Sequence, residues 1–278
     1  MTGPVAVPGS VPDGVSGSGA APPRRSPLRF FGLVFALSVP FWLIGAATDR
    51  QLMPGLSVSA LMAFCPMVAA LLLLHRERGI AGVRQLLKRS FDYRRIKSLG
   101  WLVPVMLLMP GVSFVVYGLM QWSDTPVPAT QVAIGSSLLM LLAFFIGALG
   151  EELGWSGYIL DTLHERWSAL QASLILGVVG VAWHLVPLLL VHRPLAWIAW
   201  WCLYAMAARL LTVWLYNNTG RSVFAASVFH ATLNLAFMLF PVNGSHFDMR
   251  IGGLVMAGVA GVVVVVWGPR SLARFRLA

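Results

Sequence analysis

The chain carries little charge. Only 11% of its 278 residues are Asp, Glu, Lys or Arg, where an ordinary soluble domain carries about 25%. With 58% hydrophobic residues and a mean hydropathy of +0.78, that shortage excludes a water-soluble fold. There are too few polar side chains to cover a surface, so lipid is the expected solvent. Cysteine is nearly missing as well. Cys65 and Cys202 both sit inside apolar runs, which suits packing rather than a disulfide framework. No internal repeat is visible, so nothing points to an inverted-repeat transporter. An HExxH helix, the commonest zinc-protease signal, is also missing. Acidic residues number ten against twenty basic ones, for a net charge of +10. The basic residues cluster beside apolar segments, as membrane topology requires. Membrane lipid is therefore the expected partner and nucleic acid is not.

Long apolar runs are what the chain has instead. Residues 1–27, rich in Gly, Pro, Ser and Ala with Asp13 as their one acid, read as a disordered cytoplasmic tail. Arg24-Arg25 could open an export signal cleaved near Gly45, Ala46 and Ala47. Seven further apolar runs follow, which makes a retained first helix simpler. Residues 28–278 then form a transmembrane domain. A span needs about 20 apolar residues to cross a core of about 30 Å. The runs at 29–48, 56–75, 99–121, 132–158, 169–190, 195–216, 222–240 and 251–268 qualify. The expectation is an all-α, polytopic bundle of about eight helices in a bacterial cell membrane.

Its orientation follows from charge. With the N-terminus inside, sixteen basic residues fall on the cytoplasmic side, including eight between Arg76 and Lys97. Only Arg50, Arg193 and Arg250 fall outside, and Arg209 lies near the inner end of the sixth span. Both termini are therefore expected in the cytoplasm. The basic stretch from His75 to Ser98 reads as a solvated topology anchor, or alternatively as an amphipathic helix on anionic headgroups.

A charged group in the bilayer costs several kcal/mol on most scales, so each one needs a reason. Glu151 and Glu152 lie in AFFIGALGEELGWSGYIL. Adjacent helical residues point about 100° apart, so Glu151 shares a face with Trp155 and Glu152 with Ser156. One carboxylate could face a reaction centre while the other holds local structure; a pair reaching water at the membrane boundary is the plainer reading. His184, in GVVGVAWHLVPLLL, could be catalytic or a structural histidine bonded to a carbonyl of another helix. His230 and Asn234, in SVFHATLNLAF, project from one face at i and i+4. Together they could donate to a small anion, as an oxyanion site requires, or form interhelical packing bonds. Counted from Arg221, His230 lies about 13 Å deep at 1.5 Å per residue, comparable to Glu151. His184 reaches that layer only if its span begins near Ser173. His75, His164, His192 and His246 fall in expected loops, and Asp161, Glu165 and Arg166 read as a solvated connection.

EELGWSGY, WHLVP and HATLN, in this order, resemble the CPBP family of intramembrane proteases, the CAAX-protease and bacteriocin-processing (Abi) group that includes type II CAAX prenyl endopeptidases. The resemblance covers roughly residues 130–240. Its pattern is a Glu-Glu pair followed by Arg, then Phe-x-x-x-His, then His-x-x-x-Asn. Here Ser156 stands where the pattern has Arg, and Gly180 where it has Phe. The resemblance implies an endopeptidase acting on a membrane-associated peptide or protein, CAAX-like and lipidated in the best-known members. Glu151 and His184 would activate water, Glu152 would complete the acidic pair, and His230 with Asn234 would form the oxyanion site. No cofactor is expected. Were the enzyme metal-dependent, Glu151, His184 and His230 could ligate zinc. Two other classes remain open: an inactive scaffold or immunity-type factor, and a proton-coupled transporter using the same groups as a relay.

Overall fold

A computed structural model describes residues 25–273, apart from 49, 54–55, 124, 126 and 129–133. Residues 1–24 of the expected tail, along with Arg274 and Arg276, lie outside the described residues; its last residues, Arg25 to Pro27, are instead bonded to the bundle or begin the first helix. Each apolar run becomes a helix because its backbone bonds can be met only internally in lipid. The helices are α1 (Pro27–Ala47), α2 (Cys65–Lys88), α3 (Leu102–Trp122), α4 (Ile134–Gly154), the short α5 (Leu160–His164), α6 (Ala169–Leu190), α7 (Leu195–Asn218), α8 (Val223–Leu239) and α9 (Met249–Trp267). The architecture is the all-α polytopic bundle expected. Seven helical stretches are long and apolar enough to span; α8, with 17 residues, is the shorter eighth. A small hairpin, Gln51–Met53 against Leu56–Ser57, joins α1 to the 3-10 turn Val58–Phe64 that leads into α2.

The helices differ in how enclosed they are. Over half of the apolar stretch of α7 (56%) is buried within the protein, against 17% for α1 and for α4 with its continuation to His164. Helix α7 packs on α6, α8 and α9, and α4 packs on α2 and α8. Large apolar side chains such as Phe114, Leu138 and Leu142 face outward, as a bilayer permits. Cys65 and Cys202 are both unpaired.

The start of α1 and the end of α9 lie at the same end of the bundle. Arg25 donates to Glu77 and to the Tyr158 carbonyl, while Arg166 reaches the Arg25 carbonyl. The first amides of α6, at Ala169 and Leu170, donate to Arg270 and Pro269.

The basic stretch after His75 is in part the solvated anchor expected, with Arg76, Arg78, Arg84, Lys88, Arg94, Arg95 and Lys97 exposed, but Arg89 and Asp92 depart from it. Helix α2 continues through a kink at Gly79, where φ is +59°, to Lys88, and short 3-10 turns then fold back onto the bundle. Arg89 donates to the Gly157 carbonyl at 2.8 Å, and to the Tyr216 hydroxyl and the Arg221 carbonyl at 2.7 Å each. Asp92 caps α8, accepting from the Ser222 hydroxyl and the Val223 and Phe224 amides. These groups are docked rather than solvated because open helix ends and carbonyls lie within their reach. Asp161 also differs from expectation: it accepts from Tyr216 and pairs with Arg221.

Candidate active site

The site begins with two glycines. Gly150 and Gly154 lie on one face of α4, and a methyl group at either would run into Ala63, Phe64 or Pro66. That close approach seats α4 on the start of α2. The carboxylates between these glycines therefore turn toward α6, α7 and α8. A π-helical turn, Trp155–Ile159, follows at once. It widens the helix where Ser156 folds its hydroxyl onto Glu152.

The two carboxylates occupy different settings. Glu152 is fully buried and saturated. Arg209 Nη1, from α7, lies 3.0 Å from each of its oxygens. His230 Nδ1, from α8, lies 3.0 Å from Oε1, and the Ser156 hydroxyl donates to Oε2. The glutamate beside it, Glu151, forms no hydrogen bond or ion pair among the described residues. It lines a cavity of about 140 Å³ instead. His184 from α6, and His230 and Asn234 from α8, line the same cavity, with Trp201, Tyr204, Arg209 and Thr212 contributed by α7.

The two histidines are held differently. His184 Nδ1 lies 2.8 Å from the Gly180 carbonyl, one turn earlier in its own helix. The structural alternative of a bond to another helix is therefore not what holds it. Its ring also lies against Trp201, with centroids 5.4 Å apart. The neighbouring Trp183 donates to Ser38 of α1 at 2.7 Å, fixing the rotation of α6. A carbonyl only accepts, so Nδ1 of His184 carries the proton and Nε2 of the neutral ring keeps its lone pair. His230 instead donates to a carboxylate, which stabilises the ring when both nitrogens are protonated.

Four of the five residues singled out from sequence, Glu151, His184, His230 and Asn234, thus share one cavity, while Glu152 sits behind it. His184 reaches the cavity although α6 begins at Ala169, capped by Ser168. The start of α6 lies level with residues past the end of α9, so counting residues from it misjudges depth. Trp201 and Tyr204 were not singled out, since apolar aromatics in a span read as packing or belt residues. Arg209 fills the place left by Ser156: a cation from α7 now serves the carboxylate. Among the described residues no group of three His, Cys, Asp or Glu side chains is placed to hold a metal ion. The zinc set Glu151, His184 and His230 does not fit one as it stands.

Comparison with known proteins bears on the same region. Residues 133–236 match the family described as type II CAAX prenyl endopeptidase Rce1-like. A protein named CAAX prenyl protease 2, from Methanococcus maripaludis, is 24% identical over 85% of this chain and 93% of its own length. Lysostaphin resistance protein A of Staphylococcus epidermidis is 25% identical over 84% of this chain. Its counterpart in Staphylococcus haemolyticus is 26% identical over 65%. The chain spans about 60% and 49% of the lengths of these two. The match falls on the stretch that carries the three motifs, within a multi-pass helical bundle, and there the chain is similar to the type II CAAX prenyl endopeptidase Rce1-like family of membrane proteases.

Proposed function

We propose that this protein is an intramembrane endopeptidase that hydrolyses a peptide bond of a membrane-associated substrate near the cytoplasmic face. One observation carries the reading. Glu151, which forms no hydrogen bond or ion pair among the described residues, lines one cavity with His184, His230 and Asn234, while its neighbour Glu152 is fully engaged.

The chemistry follows from the hydrogen bonds. Glu151 and the free Nε2 of His184 accept a proton from water, and the resulting hydroxide attacks the scissile carbonyl carbon. Charge then develops on the carbonyl oxygen. The Asn234 amide donates to it directly. His230 donates through Nε2 only as the imidazolium, because Nδ1 already donates to Glu152. The tetrahedral intermediate collapses as the leaving amine takes the proton back from the Glu151–His184 pair. In a water-poor cavity such preorganised donors act at low dielectric, where they count most. No step is routed through a metal. Similarity to CAAX prenyl protease 2 of Methanococcus maripaludis and to the type II CAAX prenyl endopeptidases makes a lipidated, CAAX-like tail the first substrate class to try.

The test is peptide cleavage by protein purified in detergent or liposomes, with Glu151→Ala and His230→Ala beside wild type, each with and without chelator. Cleavage lost in both variants and indifferent to chelator is expected. Sensitivity to chelator would overturn the metal-free mechanism. A folded wild type that cuts nothing, across lipidated and plain peptides, would move the scaffold reading ahead.

A further inference from the structure

Two glycines of α6 face the same cavity for different physical reasons. At Gly177 an added methyl would press into the Met206 sulfur, so that glycine exists to let α6 and α7 approach. At Gly180 an added methyl would meet nothing within 4 Å. Glycine weakens a helix relative to alanine, and no packing contact repays that here. Other glycines also face open space, Gly258 among them, but Gly258 does not line the cavity. Gly180 does line it, and beside the polar groups the cavity's lining includes Val181 on α6, Trp201 and Ala205 on α7 and Leu233 on α8. Gly180 also sits one turn from His184 and holds its ring through the carbonyl. Any group filling the space would lie beside the histidine that receives the proton from water.

We propose that the gap beside Gly180 is a subsite for a bulky apolar side chain of the substrate, adjacent to the scissile bond, so that residue 180 sets the size accepted. This rests on the peptidase reading. An apolar pocket of this kind recognises by fit and desolvation. Filling or emptying it by a methylene changes selectivity by about 10–200-fold. Ala, Leu and Phe at 180 would progressively occupy the volume. The backbone carbonyl that orients His184 is kept in every case.

The experiment measures kcat/KM for wild type, Gly180→Ala, Gly180→Leu and Gly180→Phe on paired peptides. The peptides differ only in the residue flanking the scissile bond, Ala in one and Leu or Phe in the other, varied on each side in turn. Wild type is expected to prefer the bulky peptides. Gly180→Leu and Gly180→Phe should lose at least about 10-fold more on these than on the Ala peptide. Gly180→Ala, which adds one methyl to open space, should fall between and keeps the test valid should the larger variants misfold. Gly258→Leu, on α9, should match wild type throughout. Equal losses on bulky and small peptides, or selectivity unchanged at 180, would overturn the subsite alone. Failure of wild type to cleave any peptide would overturn the peptidase reading and the subsite with it.

Discussion

At the basic end of the bundle, Arg89, Asp92 and Asp161 are tied to partners; in the cavity, one carboxylate and one carboxamide are left open. Arg89 spans three acceptors, Asp92 takes a hydroxyl and two amides, and Asp161 takes Tyr216 and Arg221. In the cavity, neither Glu151 nor the Asn234 amide forms a hydrogen bond among the described residues. The contrast is sharpest across one peptide bond, where Glu152 is saturated and Glu151 is not. A protein that only holds its helices together gains from satisfying every buried polar group. One that leaves a carboxylate and a carboxamide facing the same small space accepts a cost that a substrate later offsets.

Substitutions can break or sharpen that contrast. The largest effect is expected at Arg209→Met, which strands a fully buried carboxylate in the membrane. Removing one partner of such a pair costs about 3–5 kcal/mol, read as a large drop in thermal stability in detergent. The double variant Arg209→Met/Glu152→Gln should recover most of it. A single variant as stable as wild type would mean that Glu152 does not depend on its cation. Next comes Asn234→Ala. Losing one oxyanion donor should lower kcat by about 10²–10³-fold with the melting temperature unchanged, since no hydrogen bond is lost. A clear fall in melting temperature would assign Asn234 to packing instead. The smallest effect is expected at Asp92→Ala. It removes the acceptor of the Val223 and Phe224 amides while the Ser222 cap on Ala225 stays, and should cost about 0.5–2 kcal/mol, with kcat within a few-fold of wild type. A collapse of activity without loss of stability would place the basic end inside the mechanism.

Much of this was legible in the sequence for a simple physical reason. In lipid an apolar run must be a helix, so eight runs announced eight spanning helices, though the second, expected at 56–75, is Cys65–Lys88. Polar residues in such runs are conspicuous, which is why Glu151, Glu152, His184, His230 and Asn234 stood out. The docking within residues 75–98 was not legible, because Arg89 and Asp92 look the same in sequence whether they meet water or the end of α8. The π-helical turn at Trp155 has no compositional mark. Arg209 could be noticed as a stray cation, but only the packing of α7 on its neighbours shows which carboxylate it serves. The space at Gly180 is a property of four helices together, and no residue in the chain encodes it alone.

The Glu152–Arg209 pair also bears on how the chain is made. Its two members are 57 residues apart, and His230 comes 78 residues after Glu152. When α4 leaves the ribosome it carries two acids, and neither partner of Glu152 exists yet. An acidic residue costs roughly 3 kcal/mol when a helix inserts, and α4 carries that cost without Arg209 or His230 beside it. The pairing of Glu152 is completed only once α7 and α8 emerge, so later helices finish a site that α4 begins.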